Sequence, residues 1–500
     1  MSDLSETKII QLALPTQHII NKVEMTQKVD MIQKAEMTQK AEKESNTISK
    51  RDMLSPEQTI AFEKFTEGHN LFISGPGGVG KSYLIDTMVK HANANGNKIA
   101  ITALTGCAAI LLGVKARTIH SWSGIKFMNS SVADEDIIKR ISKNRIACAA
   151  WRSTNILIVD EVSMMPIRMF ELLNNLGQII RRSMKPFGGL QVVFTGDFYQ
   201  LPPVCPNEEV RFAFESPKWM ETFRKENHIE LTTFFRQRDP EFIKILMEVR
   251  KGELSSESID RLIELVGKEK LVDDIITKIY PTRSKVESIN KLMFDKLPDT
   301  THIFNAVRKT DERYYHVMSG REDLVEIEYE YLFKCEELTP DFSRRELDSM
   351  VTNFNIIERL ELKKGALVML TINISVENGL CNGTQGIVIG FDDTDGSPIV
   401  KFTNRKVATI RPNPYQNHEY PTHVIHQVPL CLAWALTIHK TQGATLEQIE
   451  VDIGSSVFEF GQTYVALSRV KTLEGLYLTN FDPSKIRANP KVKRFYNKDS

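Results

Sequence analysis

The sequence predicts an α/β protein built on parallel β-sheets that are covered by helices on both faces. Four short runs, "NLFISG", "KIAITAL", "NILIVDE" and "LQVVFTGD", are nearly continuous in apolar residues and alternate with longer stretches of helical pattern. Continuous apolar runs are typical of strands buried on both faces of a sheet. Each run has a Gly, Thr or Asp at or next to its end, where a sheet of this kind places its ligands. With 500 residues, 41% of them hydrophobic, the chain can form two or three domains.

The order of these patterns divides the chain into segments. We expect residues 51–238 to form a first α/β domain, and residues 239–310 together with 429–500 to form a second one. Between them, "GALVMLTIN", "GTQGIVIGF" and "PIVKFTNRKVATI" are strand-like and are separated by Gly, Asn and Asp turns. Residues 311–428 are therefore predicted to be a small all-β insertion.

Residues 1–50 are predicted to be an arm outside these domains, because residues 25–42 repeat every six positions as "MTQKVD MIQKAE MTQKAE". On a helix a six-residue step lands about 120° out of register, so Met25, Met31 and Met37 would point in three directions. Without a single apolar face, the segment is expected to be a flexible or solitary helical arm. A partner-docking helix is the alternative.

Charge and cysteine usage narrow the class of protein. Lys plus Arg equals Asp plus Glu at 64 each, which gives no global sign of nucleic-acid binding but leaves room for a local basic groove. The six cysteines form no C-x-x-C pair, so a zinc site or disulfide framework is not expected. No apolar run reaches ~18 residues, and the first 50 residues contain acids and no arginine. We therefore expect an intracellular protein, nuclear or cytoplasmic, without a signal peptide, presequence or membrane span.

A glycine-rich segment, "GPGGVGKS" at residues 75–82, fits the pattern G-x-x-x-x-G-K-[ST] between a strand and a helix. Its backbone N–H groups and the helix N-terminus can cradle phosphate. Lys81 is expected to reach the β and γ phosphates of ATP, and Ser82 to ligate Mg²⁺. A chance glycine loop is the alternative. The residues predicted to bind the nucleotide here are Gly75, Gly77, Gly78, Val79, Gly80, Lys81, Ser82 and Tyr83.

Two further strand ends carry polar residues that suit hydrolysis. In "NILIVDEVSMM", Asp160 is expected to hold the Mg²⁺ shell and Glu161 to polarise the attacking water; acids that only cap the next helix are the alternative. A water-activating base favours hydrolysis over kinase chemistry. In "FTGDFYQLPPV", Gln200 is predicted to sense the γ-phosphate or, alternatively, to bond to loop backbone. Asp197 is expected to brace either the magnesium shell or the loop.

Together these motifs resemble the Pif-type DNA helicases, relatives of RecD within superfamily 1. "LSPEQ", with Gln58 as adenine reader, is similar to the family's Q motif, and "KPFGGLQ" is similar to a signature of this branch. The other matching pieces stand in the family's order between residues 54 and 475: "TALTGCAA", "TIHSWSGI", "FFRQRDPEF", "YPTRSKVESIN", "LAWALTIHKTQGATL" and "GQTYVALSRV".

The resemblance implies two RecA-like domains with ATP between them, a small wedge at about residues 120–150, and an SH3-like fold for the β insertion. It implies that Arg236 and Arg469 are arginine fingers that contact the γ-phosphate. A finger that comes from the far domain would make ATP hydrolysis depend on closure of the cleft. It also implies that six residues contact DNA, and for each of them a purely structural role is the alternative. These residues are Thr105, Gly106, His120, Thr437, His439 and Lys440.

The resulting hypothesis is an ATP-dependent DNA helicase that moves 5′-to-3′ on single-stranded DNA, with Mg²⁺ as cofactor. Single-stranded and forked DNA are the expected partners, a monomer the expected state, and replication, repair or recombination the expected setting. The alternatives are a P-loop remodelling ATPase that DNA does not stimulate, a DNA-binding relative with an inactive site, and a nucleotide kinase.

Overall fold

The computed structural model describes residues 54–499 with short gaps. The gaps are residues 113–115, 126–131, 204–208, 270–275, 311–338, 355, 376–377, 417–419, 421, 439–440, 442–443 and 456. The repeat-bearing arm at residues 1–50 and two of the predicted DNA contacts, His439 and Lys440, therefore lie outside the described residues. Across the described ranges, none of the helices combines the length and the hydropathy that crossing a bilayer requires.

The first half of the chain folds around a six-stranded sheet in which all neighbouring strands are parallel. Its strands are β1 Leu71–Ser74, β2 Ile99–Ala103, β3 Arg117–Thr118, β4 Ile156–Asp160, β5 Gln191–Thr195 and β6 His228–Glu230. Their order across the sheet is β3-β2-β4-β5-β1-β6. The α/β class with a parallel sheet is thus confirmed for this half.

Helices cover both faces of this sheet. They are α1 Pro56–Thr66, α2 Lys81–Ala94, α3 Gly106–Leu112, α4 Ile119–Ser123, α5 Asp134–Lys143, α6 Arg145–Ser153, α7 Ile167–Arg181 and α8 Pro217–Thr222. Successive residues of β1 belong to different cores: Leu71 and Ile73 pack with the helices of one face, and Phe72 packs with those of the other. Burial on both faces explains why these strands are continuous apolar runs in the sequence.

The second half contains the remaining elements. Its helices are α9 Pro240–Lys251, α10 Ser256–Glu264, α11 Arg283–Asp295, α12 Pro340–Asn353, α13 Gln462–Leu467 and α14 Pro490–Asp499. Its strands are β7 Thr277–Tyr280, β8 His302–Asn305, β9 Val307–Lys309, β10 Arg359–Leu362, β11 Leu367–Leu370, β12 Gln385–Phe391, β13 Pro398–Phe402, β14 Val407–Thr409, β15 Asn413–Gln416, β16 Val424–Gln427, β17 Leu430–Leu432, β18 Ala435–Thr437, β19 Ile449–Ile453 and β20 Leu476–Phe481. Four of these strands form a second parallel sheet in the order β18-β7-β19-β20.

The other strands of the second half pair antiparallel in three small sheets, ordered β14-β13-β12-β11-β17, β15-β16-β9 and β10-β8. This pairing extends beyond the limits expected from the sequence. β8 and β9 precede residue 311 yet pair with β10 and β16, and β17 follows residue 428 yet pairs with β11. The sequence assigned all three to the parallel-sheet domain, because the partner of a strand is set by contacts distant in sequence and not by its own pattern.

Helix α14 packs on the first half although it follows the second half in the chain. Val492 is fully buried in the core of the first sheet. The Phe495 ring lies 4.4 Å from that of Phe214 and 5.6 Å from that of Phe198 between centroids. Tyr496 stacks on Tyr199 at 5.0 Å. The two halves are therefore joined at the linker before α9 and again by this last described helix.

Candidate functional site

A cleft of about 820 Å³ lies where the two halves meet. The first half contributes Gly77, Gly78, Gly80, Lys81, Ser82, Tyr83, Ala108, Asp160, Glu161, Gln200, Phe235, Arg236 and Arg238, and the second half contributes Asp239, Thr445, Arg469, Lys471 and Thr472. This cleft is lined by all five residues that are predicted to be catalytic: Lys81, Glu161, Gln200, Arg236 and Arg469. Three of the residues predicted to bind the nucleotide, Gln58, Gly75 and Val79, are not among its lining residues.

The glycine-rich loop has the backbone that a phosphate cradle needs. Gly75, Gly78 and Gly80 have φ values of 140°, 93° and 77°, a region that residues with a Cβ rarely adopt. A Cβ at Gly75 would also lie 2.5 Å from the Leu231 carbonyl oxygen. The loop leads directly into α2, so its N–H groups and the positive end of a 14-residue helix face the same space. This arrangement fits the phosphates of a nucleotide.

Lys81 is held at the cradle by neutral acceptors. Its Nζ donates to the backbone carbonyls of Gly75 at 2.7 Å and of Pro76 at 2.8 Å. Burial lowers the pKa of Lys81, and the negative charges of Asp197, Glu161 and Asp160 raise it in part. Charged oxygen atoms are stronger partners for an ammonium group than carbonyls are. A phosphate would therefore replace weaker hydrogen bonds with stronger ones.

Two acidic side chains, Asp160 at the end of β4 and Glu161 directly after it, lie on the wall of the cleft. Burial raises the pKa of Asp160, while hydrogen bonds from the Thr195 hydroxyl and the Glu161 N–H to its carboxylate lower it. Glu161 has φ 58° and ψ 41°, a left-handed conformation that costs a residue with a side chain about 1–3 kcal/mol. Asp160 and the Ser82 hydroxyl line the cleft together and are oxygen ligands of the kind that Mg²⁺ binds.

The loop after β5 places Gln200 in the cleft through a brace on Asp197. The Gln200 N–H donates to the Asp197 carbonyl at 2.8 Å. The Asp197 carboxylate is fully buried and accepts two hydrogen bonds from Arg250 of α9, at 2.9 and 3.0 Å. It also accepts the Tyr199 N–H at 3.2 Å. Of the two roles expected for Asp197, bracing the loop is the one that these contacts support.

The two predicted fingers reach the cleft from different sides. Arg469 follows α13 in the second half, and its Nε donates to the Val465 carbonyl at 2.8 Å. Arg236 is not on the far side, because its backbone N–H bonds to the cradle residue Gly78 at 3.2 Å. Burial, together with the charge of Arg236, lowers the pKa of Arg469. Two desolvated cations that repel each other favour an anion between them.

Gln58 supports the cradle in this structure. Its side chain is fully buried, its Nε2 donates to the carbonyls of Val79 and Gly80 at 3.3 Å each, and its Oε1 accepts the Ser55 N–H at 3.0 Å. Its role as adenine reader stays a prediction.

The sequence reasoning missed Phe235, whose ring is 49% exposed on the cleft wall and whose N–H donates to Gly78 at 2.9 Å. The sequence could have indicated this residue, because Phe235 directly precedes the predicted finger Arg236 in "FFRQ".

The predicted DNA contacts within the described ranges are not among the residues that line the cleft. Thr105 and Gly106 follow β2, and the Thr105 hydroxyl accepts the Ala108 N–H at 3.2 Å. His120 lies on α4, and burial lowers its pKa, which keeps the ring neutral near pH 7. Thr437 is buried at the end of β18. Three of these residues are thus at carboxyl ends of parallel strands, Thr105 and Gly106 in the first half and Thr437 in the second.

Comparison with known proteins identifies the family of the chain. A family model described as PIF1-like helicase matches residues 53–260, and one described as DNA helicase Pif1, 2B domain, matches residues 347–391. The chain is 34% identical to the ATP-dependent DNA helicase PIF1 of Emericella nidulans over 490 residues, covering 86% of this chain and 61% of that protein. Against the curated relatives that it matches, the chain spans 61 to 66% of their length.

Solved structures give the same family. The Pif1 helicase from Candida albicans superposes with a TM-score of 0.71 and 32% identity, covering 89% of this chain and 99% of that one. The Pif1 helicase from Bacteroides, in complex with ADP-AlF3 and single-stranded DNA, superposes with a TM-score of 0.58 and 25% identity, covering 89% and 96%. The predicted resemblance is therefore confirmed, and the chain belongs to the Pif1-like helicase family.

Proposed function

We propose that this chain is an ATP-dependent DNA helicase that hydrolyses ATP between its two parallel-sheet halves. One observation carries the proposal: a single cleft contains a phosphate cradle, an acid and a glutamine from the first half, and an arginine from the second. A cleft built from two halves changes its chemistry when the halves move, which is the requirement for a motor. The names of the matched relatives support the same activity.

Binding would begin at the cradle. The loop N–H groups and Lys81 take the phosphates, and Phe235 offers an exposed aromatic face to the base. Mg²⁺, held by Ser82 and Asp160, would neutralise phosphate charge when bound. Among the described residues no group of three or more His, Cys, Asp or Glu side chains could hold a metal. The remaining ligands of the ion would thus be phosphate oxygens and water, as Mg²⁺ commonly prefers.

Hydrolysis would follow from three side chains around the γ-phosphate. Glu161 accepts the proton of the attacking water, and Gln200 orients that water or the phosphate. Arg469 neutralises the charge that develops on the transferred group, a contribution of about 10³-fold or more in related ATPases. Because Arg469 comes from the second half, hydrolysis would be fast only when the cleft is closed.

Work on DNA is proposed from the family resemblance. We infer 5′-to-3′ movement along single-stranded DNA, with DNA contacts from Thr105, Gly106, His120, Thr437, His439 and Lys440. The helices α5 and α6 are proposed as the wedge and the antiparallel sheets as the SH3-like module. Forked DNA as substrate, action as a monomer, a nuclear or cytoplasmic location and a role in replication, repair or recombination stay predictions.

The test is steady-state ATP hydrolysis with and without single-stranded DNA at low salt, because phosphate-dominated binding weakens steeply as salt rises. Stimulation of wild type by DNA, and its loss in Lys81→Ala, is the expected result. Forked substrates with either a 5′ or a 3′ tail then test the direction, with unwinding expected only from the 5′ tail. Robust hydrolysis that ignores DNA would favour the remodelling ATPase instead.

A further inference from the structure

We propose that Tyr464 is a positioning residue that holds Arg469 against the phosphate cradle, an inference that rests on the ATP hydrolysis proposed above. Tyr464 lies on α13, is 2% exposed, and its hydroxyl accepts the backbone N–H of Gly77 at 2.8 Å. This bond joins the second half of the chain to the cradle of the first across 387 residues. Neither the sequence patterns nor the family resemblance assigned a role to this tyrosine.

The face of α13 that carries Tyr464 meets the cradle region at further points. Ser468 lies four residues on, hence on the same side of the helix. Its carbonyl accepts from Arg236 at 3.0 Å, and its hydroxyl accepts from Arg469 at 2.7 Å. The approach is close, since a Cβ at Gly77 would lie 3.3 Å from an Arg469 guanidinium nitrogen. Tyr464 thus anchors the short helix whose end delivers Arg469.

Charge explains why a neutral anchor is needed here. The guanidinium groups of Arg236 and Arg469 repel each other, and this repulsion opposes the hydrogen bond from Arg236 to the Ser468 carbonyl until an anion lies between the two groups. A hydroxyl that accepts from a backbone N–H holds the helix at the cradle without relying on that anion. Burial raises the pKa of Tyr464, so the hydroxyl stays protonated and neutral at physiological pH. Arg469 is thereby positioned before the reaction starts. A misplacement of about 1 Å can lower a reaction rate by about 10²-fold.

The Gln237 side chain provides a second contact to the same region and shows why the tyrosine is still required. Its Nε2 donates to the carbonyls of Ser468 at 3.3 Å and of Val470 at 2.9 Å. These bonds hold the chain just after α13. The bond of Tyr464 lies one turn earlier, so the two contacts together fix the direction of the helix as well as its end.

The test is Tyr464→Phe, which keeps the buried ring and removes only the hydroxyl. We expect kcat for ATP hydrolysis to fall about 2- to 12-fold, the range for one neutral hydrogen bond. The Kd for a non-hydrolysable ATP analogue should change less than twofold, since no predicted phosphate ligand is removed. Tyr477→Phe, which changes a tyrosine that is 5% exposed on β20, is the matched control and should leave both constants unchanged.

A double-mutant cycle separates positioning from a general structural effect. If Tyr464 acts through Arg469, then Tyr464→Phe should cause no further loss in the Arg469→Ala background. Single-turnover measurements make low rates accessible, and Arg469→Lys is a second background that retains more activity. Equal losses in wild type and in both backgrounds, or an unchanged kcat in Tyr464→Phe alone, would overturn the inference. A wild-type chain that fails to turn over ATP would instead overturn the proposed function, and this inference with it.

Discussion

Arg250→Met is expected to destabilise the protein by about 3–5 kcal/mol, because it leaves the Asp197 carboxylate buried without a counter-ion. The two side chains are 1% and 0% exposed, and two hydrogen bonds of 2.9 and 3.0 Å join them. Arg250 also lies over the rings of Tyr199 and Tyr496, at 4.8 and 5.5 Å from their centroids. Methionine fills much of the same volume, so the lost charge and hydrogen bonds dominate the change.

The bond of Arg250 to Glu230 adds little to this magnitude. Its length is 3.0 Å, but the Glu230 side chain is 45% exposed, and water replaces such a partner at low cost. Removing the buried partner has a functional consequence as well. Asp197 braces the turn that carries Gln200, so the variant should lose ATP turnover even at temperatures where it remains folded.

Urea denaturation followed by tryptophan fluorescence measures the loss. For an m-value of about 3 kcal/mol/M, the expected change lowers the midpoint by about 1–1.7 M. Arg308→Met is the matched control, because Arg308 pairs with Asp348 and Glu358, whose side chains are 57% and 56% exposed. It should cost no more than about 1 kcal/mol.

A double variant tests whether the unpaired charge of Asp197 causes the loss of stability. Combining Arg250→Met with Asp197→Leu removes both charges, so part of the lost stability should return. A midpoint for Arg250→Met no lower than that of Arg308→Met would refute the argument. So would a double variant whose loss equals the sum of the two single losses.

Three further changes test the cleft itself. Lys81→Ala should reduce phosphate release to background, since the ammonium at the cradle is gone; normal release would end its assignment as a phosphate ligand. Glu161→Gln should bind ATP normally and hydrolyse it about 10²–10⁴-fold more slowly, the usual contribution of a general base; freely cycling enzyme would exclude Glu161 from that role. Phe235→Ala should weaken ADP binding, measured by calorimetry, by about 1–3 kcal/mol if the ring stacks on the base; unchanged affinity would show that the base lies elsewhere.

Local pattern was sufficient to predict four strands of the first sheet, β1, β2, β4 and β5, and the polar residues at their carboxyl ends. The cradle, Asp160 with Glu161, and Gln200 each stand at the carboxyl end of an apolar run, so a parallel sheet necessarily brings them to one edge. What the sequence could not provide is the partner of each residue across the halves. Arg250 sits within an ordinary amphipathic helix, and only the fold places it on Asp197, 53 positions earlier.

For the same reason, the sequence did not predict the packing of α14 on the first half or the true limits of the all-β insertion. Phe495 and Tyr496 belong to a short charged helix whose sequence gives no sign of a core position in the first half. The sheets to which β8, β9 and β17 belong are set by their register with strands far along the chain. Contacts at long sequence separation depend on the packed fold and leave little local signal.

The position of α14 also governs how the molecule is made. The core of the first sheet includes Val492 and is packed against by Phe495, so the first half cannot complete its core until these residues have been synthesised. They lie roughly 250 residues beyond residue 238, which takes about 13–50 s at ~5–20 residues per second. During that time aromatic surface around Phe198 and Phe214 is open to solvent and to chaperones. The first half is therefore completed by a helix that is translated roughly 250 residues after it.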